Sequence, residues 1–113
     1  MPQKLIVIKT QFEAIHCWPE CPIEEVSFLR TPHRHVFHVT VKWKVEHNDR
    51  DKEFILMKRS VTEFCRNVVD NHNNDLGRRS CEDIADMIHN AYLDACFVSV
   101  FEDNENGVEA IYD

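Results

Sequence analysis

The chain has 113 residues, with 13 Lys+Arg against 20 Asp+Glu and a formal net charge of −7. A chain of this length forms one domain, residues 1–113, on a single core, and 43% hydrophobic with 29% charged residues argues against disorder. The acidic balance argues against a nucleic-acid partner, which needs clustered Lys and Arg, and no apolar run approaches the ~20 residues that span a membrane. The N-terminal stretch MPQKLIVIKTQFEAIH carries no signal-peptide pattern. Five cysteines (Cys17, Cys21, Cys65, Cys81, Cys96) leave an odd one, so the expectation is free thiols in the cytoplasm.

Lys4 to Phe12 is rich in β-branched residues and predicts a strand. If it runs on without a bulge, Ile6, Ile8, Thr10, Phe12, Ala14 and His16 share one face. Residues 17–32 contain Pro19, Pro22 and Pro32 and read as a long loop. His33 to about Glu46 alternates cleanly, with His33, His35, Phe37, Val39, Val41, Trp43 and Val45 on one face. The run His47 to Asp51 is a turn, and Phe54-Ile55 fits a short strand. From Met57 the spacing becomes helical through Val61, Phe64, Cys65 and Val68. Asp70 to Asp75 is a loop closed by Gly77. A second helix follows Ser80 as N-cap, with Glu82 and Asp83 in its first turn and apolar positions continuing to Ala95. Phe97 to Glu102 and Val108 to Tyr112 are strands around a turn at Asn104 to Gly107. The order strand, strand, helix, helix, strand, strand predicts an α+β fold, with both helices on one face of an antiparallel sheet.

Seven histidines are the unusual feature of the composition. His33 and His35 are two apart on a strand and leave the same, otherwise apolar, face. His16 ends the first strand on the face of Phe12 and supplies a third nitrogen. Three imidazoles suit zinc and leave a fourth position for water or substrate. A structural site joining Cys17 and Cys21 to His33 and His35 is a rival, but zinc fingers separate their histidines by ~3–5 residues on a helix.

Phe12-Glu13-Ala14-Ile15-His16, followed by His33-Arg34-His35 at the start of a long strand, resembles the F-x-A-x-H … H-G-H pattern of 6-pyruvoyl-tetrahydropterin and 6-carboxytetrahydropterin synthases. Ser80-Cys81-Glu82-Asp83-Ile84-Ala85 is similar to that family's T-[ST]-E-N-x-A helix start. Val98-Ser99-Val100-Phe101-Glu102 and Ala110-Ile111-Tyr112 are similar to its V-x-V-x-E-T … A-x-Y ending. The four motifs occur in order over nearly the whole chain, which also looks like short bacteriophage-encoded members of the family. The resemblance implies the tunnelling fold, in which ββααββ units close a β-barrel as a homo-oligomer, commonly a trimer or hexamer, with sites between subunits. It implies Zn2+ on His16, His33 and His35. It also implies Glu102 reading the N–H edge of a pterin or guanine-like base, with Ser80 and Glu82 supporting the pocket.

The pattern departs where protons would move. The family's general-base cysteine falls at Leu29, leaving Cys21, Cys17, Glu24 or Glu25 as replacements from the 17–32 loop. The Asp-His dyad is altered to Asp70-Asn71-His72, and the glycine of H-G-H is Arg34. Two functions therefore stand. The first is a zinc-dependent lyase of the 6-pyruvoyl/6-carboxy-tetrahydropterin synthase type acting on a ligand of the dihydroneopterin triphosphate class, with Asp70, His72 and Cys21 as candidate catalytic residues. The second is a non-catalytic module that sequesters a pterin or purine nucleotide.

Overall fold

Alternation along the first two strands sets the layering. In the computed structural model, which describes residues 2–113, β1 (Leu5–His16) and β2 (His33–Lys44) pair antiparallel. The register matches Ile8 with Val41, Phe12 with Phe37 and His16 with His33, so even residues of β1 share a face with odd residues of β2. β3 (Phe97–Glu102) pairs with β2, and β4 (Asn106–Ile111) pairs with β3, giving one sheet in the order β1-β2-β3-β4. Helix α1 (Phe54–Asn71) lies over β1, where the Thr10 and Thr62 hydroxyls are 2.7 Å apart. Helix α2 (Cys81–Ala91) lies over β3 and β4 on the same face.

The core forms between these layers. Phe37, Val39, Val41, Trp43, Val98 and Val100 come from the sheet, and Val61, Cys65, Val69, Ile84, Ala85 and Ile88 come from the helices. Burial without a charged partner pushes the Cys65 thiol up to about 12, so it behaves as a small apolar residue there. The fold is thus α+β with ββααββ order and an antiparallel sheet flanked by two helices. Among the described residues, no helix is long and apolar enough to cross a membrane.

Several boundaries differ from the sequence-based expectation, each for a local reason. Phe54-Ile55 is the first turn of α1 rather than a strand, because the Glu53 carboxylate accepts the backbone N–H groups of Ile55 at 3.0 Å and Leu56 at 3.3 Å. The 17–32 loop contains a kinked 3-10 segment, Glu24–Arg30. Ser80 does cap α2: its hydroxyl accepts from the Asp83 N–H while the Asp83 carboxylate accepts from the Ser80 N–H, both at 3.1 Å. That helix ends at Ala91, and Ala95 is buried in the turn beyond it. β4 starts at Asn106 because the turn is made tightly by Asp103 and Asn104, both left-handed with φ of 55° and 58°. Gly107 lies so close to β3 that a Cβ would stand 2.2 Å from the Val100 carbonyl oxygen.

β1 and β2 have 12 residues each and β3 only 6, which pair with Phe37–Lys42. The end of the β1–β2 ribbon that carries His16, His33 and His35 therefore runs past β3. The chain after α1 closes it. The Ile15 N–H bonds to the Asn74 carbonyl at 2.8 Å, the Leu76 N–H to the Ile15 carbonyl at 2.7 Å, and the Cys17 N–H to the Gly77 carbonyl at 2.8 Å.

Candidate metal centre

Strand register assembles the cluster. His16 and His33 are direct cross-strand partners, and His35 is the next residue of β2 on that face. Their rings pack edge to face, with centroids 4.6 Å (His16–His33), 4.9 Å (His33–His35) and 5.3 Å (His16–His35) apart. One ligand atom from each lies within 4.8 Å of the others, and among the described residues this is the group that could hold a metal ion.

The other ring nitrogen of each histidine is fixed by a different part of the chain. His16 Nδ1 lies 2.9 Å from the Arg79 carbonyl, His33 Nδ1 2.8 Å from the Thr31 carbonyl, and His35 Nδ1 2.7 Å from Asp103 Oδ2. Each partner only accepts, so each Nδ1 donates, which leaves the lone pair of a neutral ring on Nε2. The Asp103 carboxyl is held below its ordinary value, first by the Val36 backbone N–H at 3.0 Å and then by His35, and so stays an acceptor. Outer partners of this kind set the tautomer of metal-binding histidines.

The inward nitrogens lack what buried polar atoms need. His16 is 7% exposed, and Nε2 of His16 and of His35 are buried without a hydrogen-bond partner. The Glu102 carboxylate is nearby, 3.0 Å from His16 Nε2, but there a lone pair meets another acceptor. Three tautomer-fixed imidazoles, two of them with a buried Nε2 that meets no donor, fit a cation of the zinc type.

Beside the histidines opens a cavity of about 560 Å³, lined by His16, Cys17, Leu29, His33, Arg78, Arg79, Ser80, Cys81, Glu82, Glu102 and Gly107 among others. That volume suits a small organic ligand. Glu102 leaves β3 on the face of Val98 and Val100 and pairs across the sheet with Phe37, two residues beyond His35. The Cys81 sulfur lies 3.6 Å from Glu102 Oε2 and donates to it. Burial, and then the Glu102 charge, push that thiol up to about 12.

The structure brings His16, His33, His35, Glu102, Ser80 and Glu82 to one place and leaves the other three candidates elsewhere. Cys21 is buried, with its sulfur 3.7 Å from the Ile23 carbonyl and 3.8 Å from the Val26 carbonyl of its own loop. Asp70 is exposed at the end of α1. His72 turns its Nδ1 to the Val68 carbonyl at 2.7 Å, and its Nε2 lies 3.4 Å from the Arg79 guanidinium. Among the described residues, no Asp70–His72 side-chain bond forms. Asp103 and the Arg79 carbonyl were not legible as site groups, although an Asp directly after Glu102 at a turn was a usable signal for the first.

Fold and site together define an α+β protein with a ββααββ layout and a three-histidine cluster capable of holding a metal ion. No protein-family model matches the chain, and no curated protein matches it.

Proposed function

We propose that this chain is a zinc protein of the tunnelling-fold class, similar to the 6-pyruvoyl and 6-carboxy-tetrahydropterin synthases, acting on a pterin or purine-derived ligand. The observation that carries the reading is the wiring of the three histidines, each donating Nδ1–H to a fixed acceptor and leaving the Nε2 lone pair free, with one ligand atom of each within 4.8 Å of the others. When bound there, zinc would supply Lewis acidity toward hydroxyl or carbonyl oxygens of a ligand. His16, His33 and His35 would hold it. Arg78 and Arg79 border the cavity and suit the phosphates of a triphosphate ligand. Glu102 would accept two N–H donors from the ligand's base, with Ser80 and Glu82 at the cavity wall.

The proton-transfer group is a further part of the proposal. Leu29 borders the cavity and cannot move a proton, but the Trp18 N–H bonds to the Leu29 carbonyl at 2.7 Å and sets Cys17 on the same cavity wall. Cys17 is therefore a better replacement than Cys21, whose thiol faces its own loop. The second reading, a binding module without turnover, is favoured by Leu29 itself, since loss of a general base costs ~10²–10⁴ in rate. Closure into a homo-oligomer belongs to the same proposal. β1 and β4 are the free edges of the sheet, and pairing them between copies removes an aggregation liability.

The test is metal analysis of the purified protein followed by incubation with dihydroneopterin triphosphate. About one zinc per chain, abolished by the His33→Ala/His35→Ala double variant, is expected. Product formation supports the enzyme, and a tight complex without product supports the binding module. Full metal retention by the double variant would overturn both.

A further inference from the structure

The Glu102 carboxylate spans two of the histidines. Its Oε2 lies 3.0 Å from His16 Nε2 and its Oε1 lies 3.5 Å from His35 Nε2. Both rings have already committed Nδ1–H, to the Arg79 carbonyl and to Asp103. Two ring nitrogens and two carboxylate oxygens thus face one another across a narrow gap, an arrangement that needs a proton or a metal ion between them. Toward His16 and His35 the carboxylate stands at the spacing of neighbouring ligands on one ion. Two donor atoms ~2.1 Å from zinc at a tetrahedral angle stand roughly 3.4 Å apart. The two observed separations fall on either side of that value.

We infer that Glu102 is the fourth metal ligand of the ligand-free protein and closes a three-histidine, one-carboxylate site. The inference rests on the metal reading above and changes what that site is. A three-histidine centre has an open position at rest, whereas this one does not. The Cys81 thiol, donating to Glu102 Oε2, keeps the carboxylate turned toward the histidines. A ligand can reach the metal only after Glu102 has left it. An edge with two N–H donors, drawing the carboxylate to itself, vacates that position as it binds. Base recognition and access to the metal are then a single event, and anions lacking such an edge are kept off.

Cobalt(II) titration of the full chain reads this directly, because four-coordinate cobalt absorbs strongly in the visible and responds to a change of ligands. Wild type should take about one cobalt per chain, with a spectrum that added azide leaves unchanged. Glu102→Ala should bind at least ~100-fold more weakly, beyond the effect of losing an outer partner, and its spectrum should shift with azide. Glu102→Gln keeps the side-chain size and should move in the same direction, which separates lost ligation from lost packing. If both variants keep the wild-type affinity and azide-inert spectrum while His33→Ala loses cobalt, Glu102 is not a ligand and the histidine site stands. If wild type binds no cobalt, the metal reading fails and takes this inference with it.

Discussion

Asp103→Asn isolates the wiring of the metal centre from its ligands. The carboxylate uses one oxygen on each of two donors, Oδ2 on His35 Nδ1 at 2.7 Å and Oδ1 on the Val36 backbone N–H at 3.0 Å. An asparagine has a single acceptor oxygen, so one donor must lose its partner. If the amide oxygen stays with Val36, the NH2 group faces His35 Nδ1 and donates to it. The imidazole proton then moves to Nε2, the atom whose lone pair a metal would need. If the oxygen stays with His35, the tautomer survives without the charge-assisted bond, and the turn at Asp103–Asn104 loses its tie to β2. Either way the metal should bind ~10–100-fold more weakly, the usual cost of removing an outer carboxylate. Competition against a chromophoric chelator measures this, with His33→Ala as the zero-binding reference. An affinity within threefold of wild type would refute the claim that Asp103 sets the His35 tautomer.

Three other predictions concern the frame. Asp94→Ala should lower stability by about 1 kcal/mol at neutral pH in denaturant melts, because Asp94 Oδ1 accepts from the indole N–H of the fully buried Trp43 at 3.1 Å. Burial acts to raise the Asp94 carboxyl, but bonds from Lys52 and Trp43 outweigh it and hold the group below its ordinary value. Its stabilisation is therefore complete above the unfolded-state value and fades as pH falls through the lower folded one, so the gap between wild type and variant should close in acid. Gly107→Ala should cost ~1–3 kcal/mol, since the new Cβ meets a backbone carbonyl that cannot rotate away, and an unchanged denaturation midpoint would contradict that. Light scattering at micromolar concentration should give a mass that is a multiple of 13.4 kDa, and a monomer throughout would remove the case for barrel closure.

The sheet was legible because one face of it is dry. Phe37, Val39, Val41 and Trp43 alternate with polar residues, and that period of two also placed His33 and His35 together and carried β1 on to His16. Helix starts were harder. Ser80 follows the common capping rule, but the N-cap of α1 is Glu53, and the apolar run Phe54-Ile55-Leu56 stays exposed where it imitated a strand. The two left-handed residues Asp103 and Asn104 shortened the hairpin turn in a way that Gly107 had suggested would fall later.

The histidine positions follow from periodicity along β1 and β2, but two of the three groups that orient them come from elsewhere in the chain. Arg79 precedes α2 and Asp103 sits at the β3–β4 turn, so their contacts with His16 and His35 are products of chain closure, while Thr31 lies two residues before His33. Two of the three use backbone carbonyls, which no side-chain motif can encode. The sequence puts Cys21 forward as the replacement general base, with Cys17 among the alternatives from the same loop. The fold separates them, since Cys21 turns to the carbonyls of its own turn while the Trp18–Leu29 backbone bond holds Cys17 at the cavity. Cys17 and Leu29 thus border the same cavity wall although 12 residues separate them. Proton transfer from a relocated residue is tolerated when the geometry at the reacting atom is kept. Metal ligation would be stricter, since each imidazole has to present one particular nitrogen, and the fold fixes those nitrogens through the carbonyls of Thr31 and Arg79 and the carboxylate of Asp103.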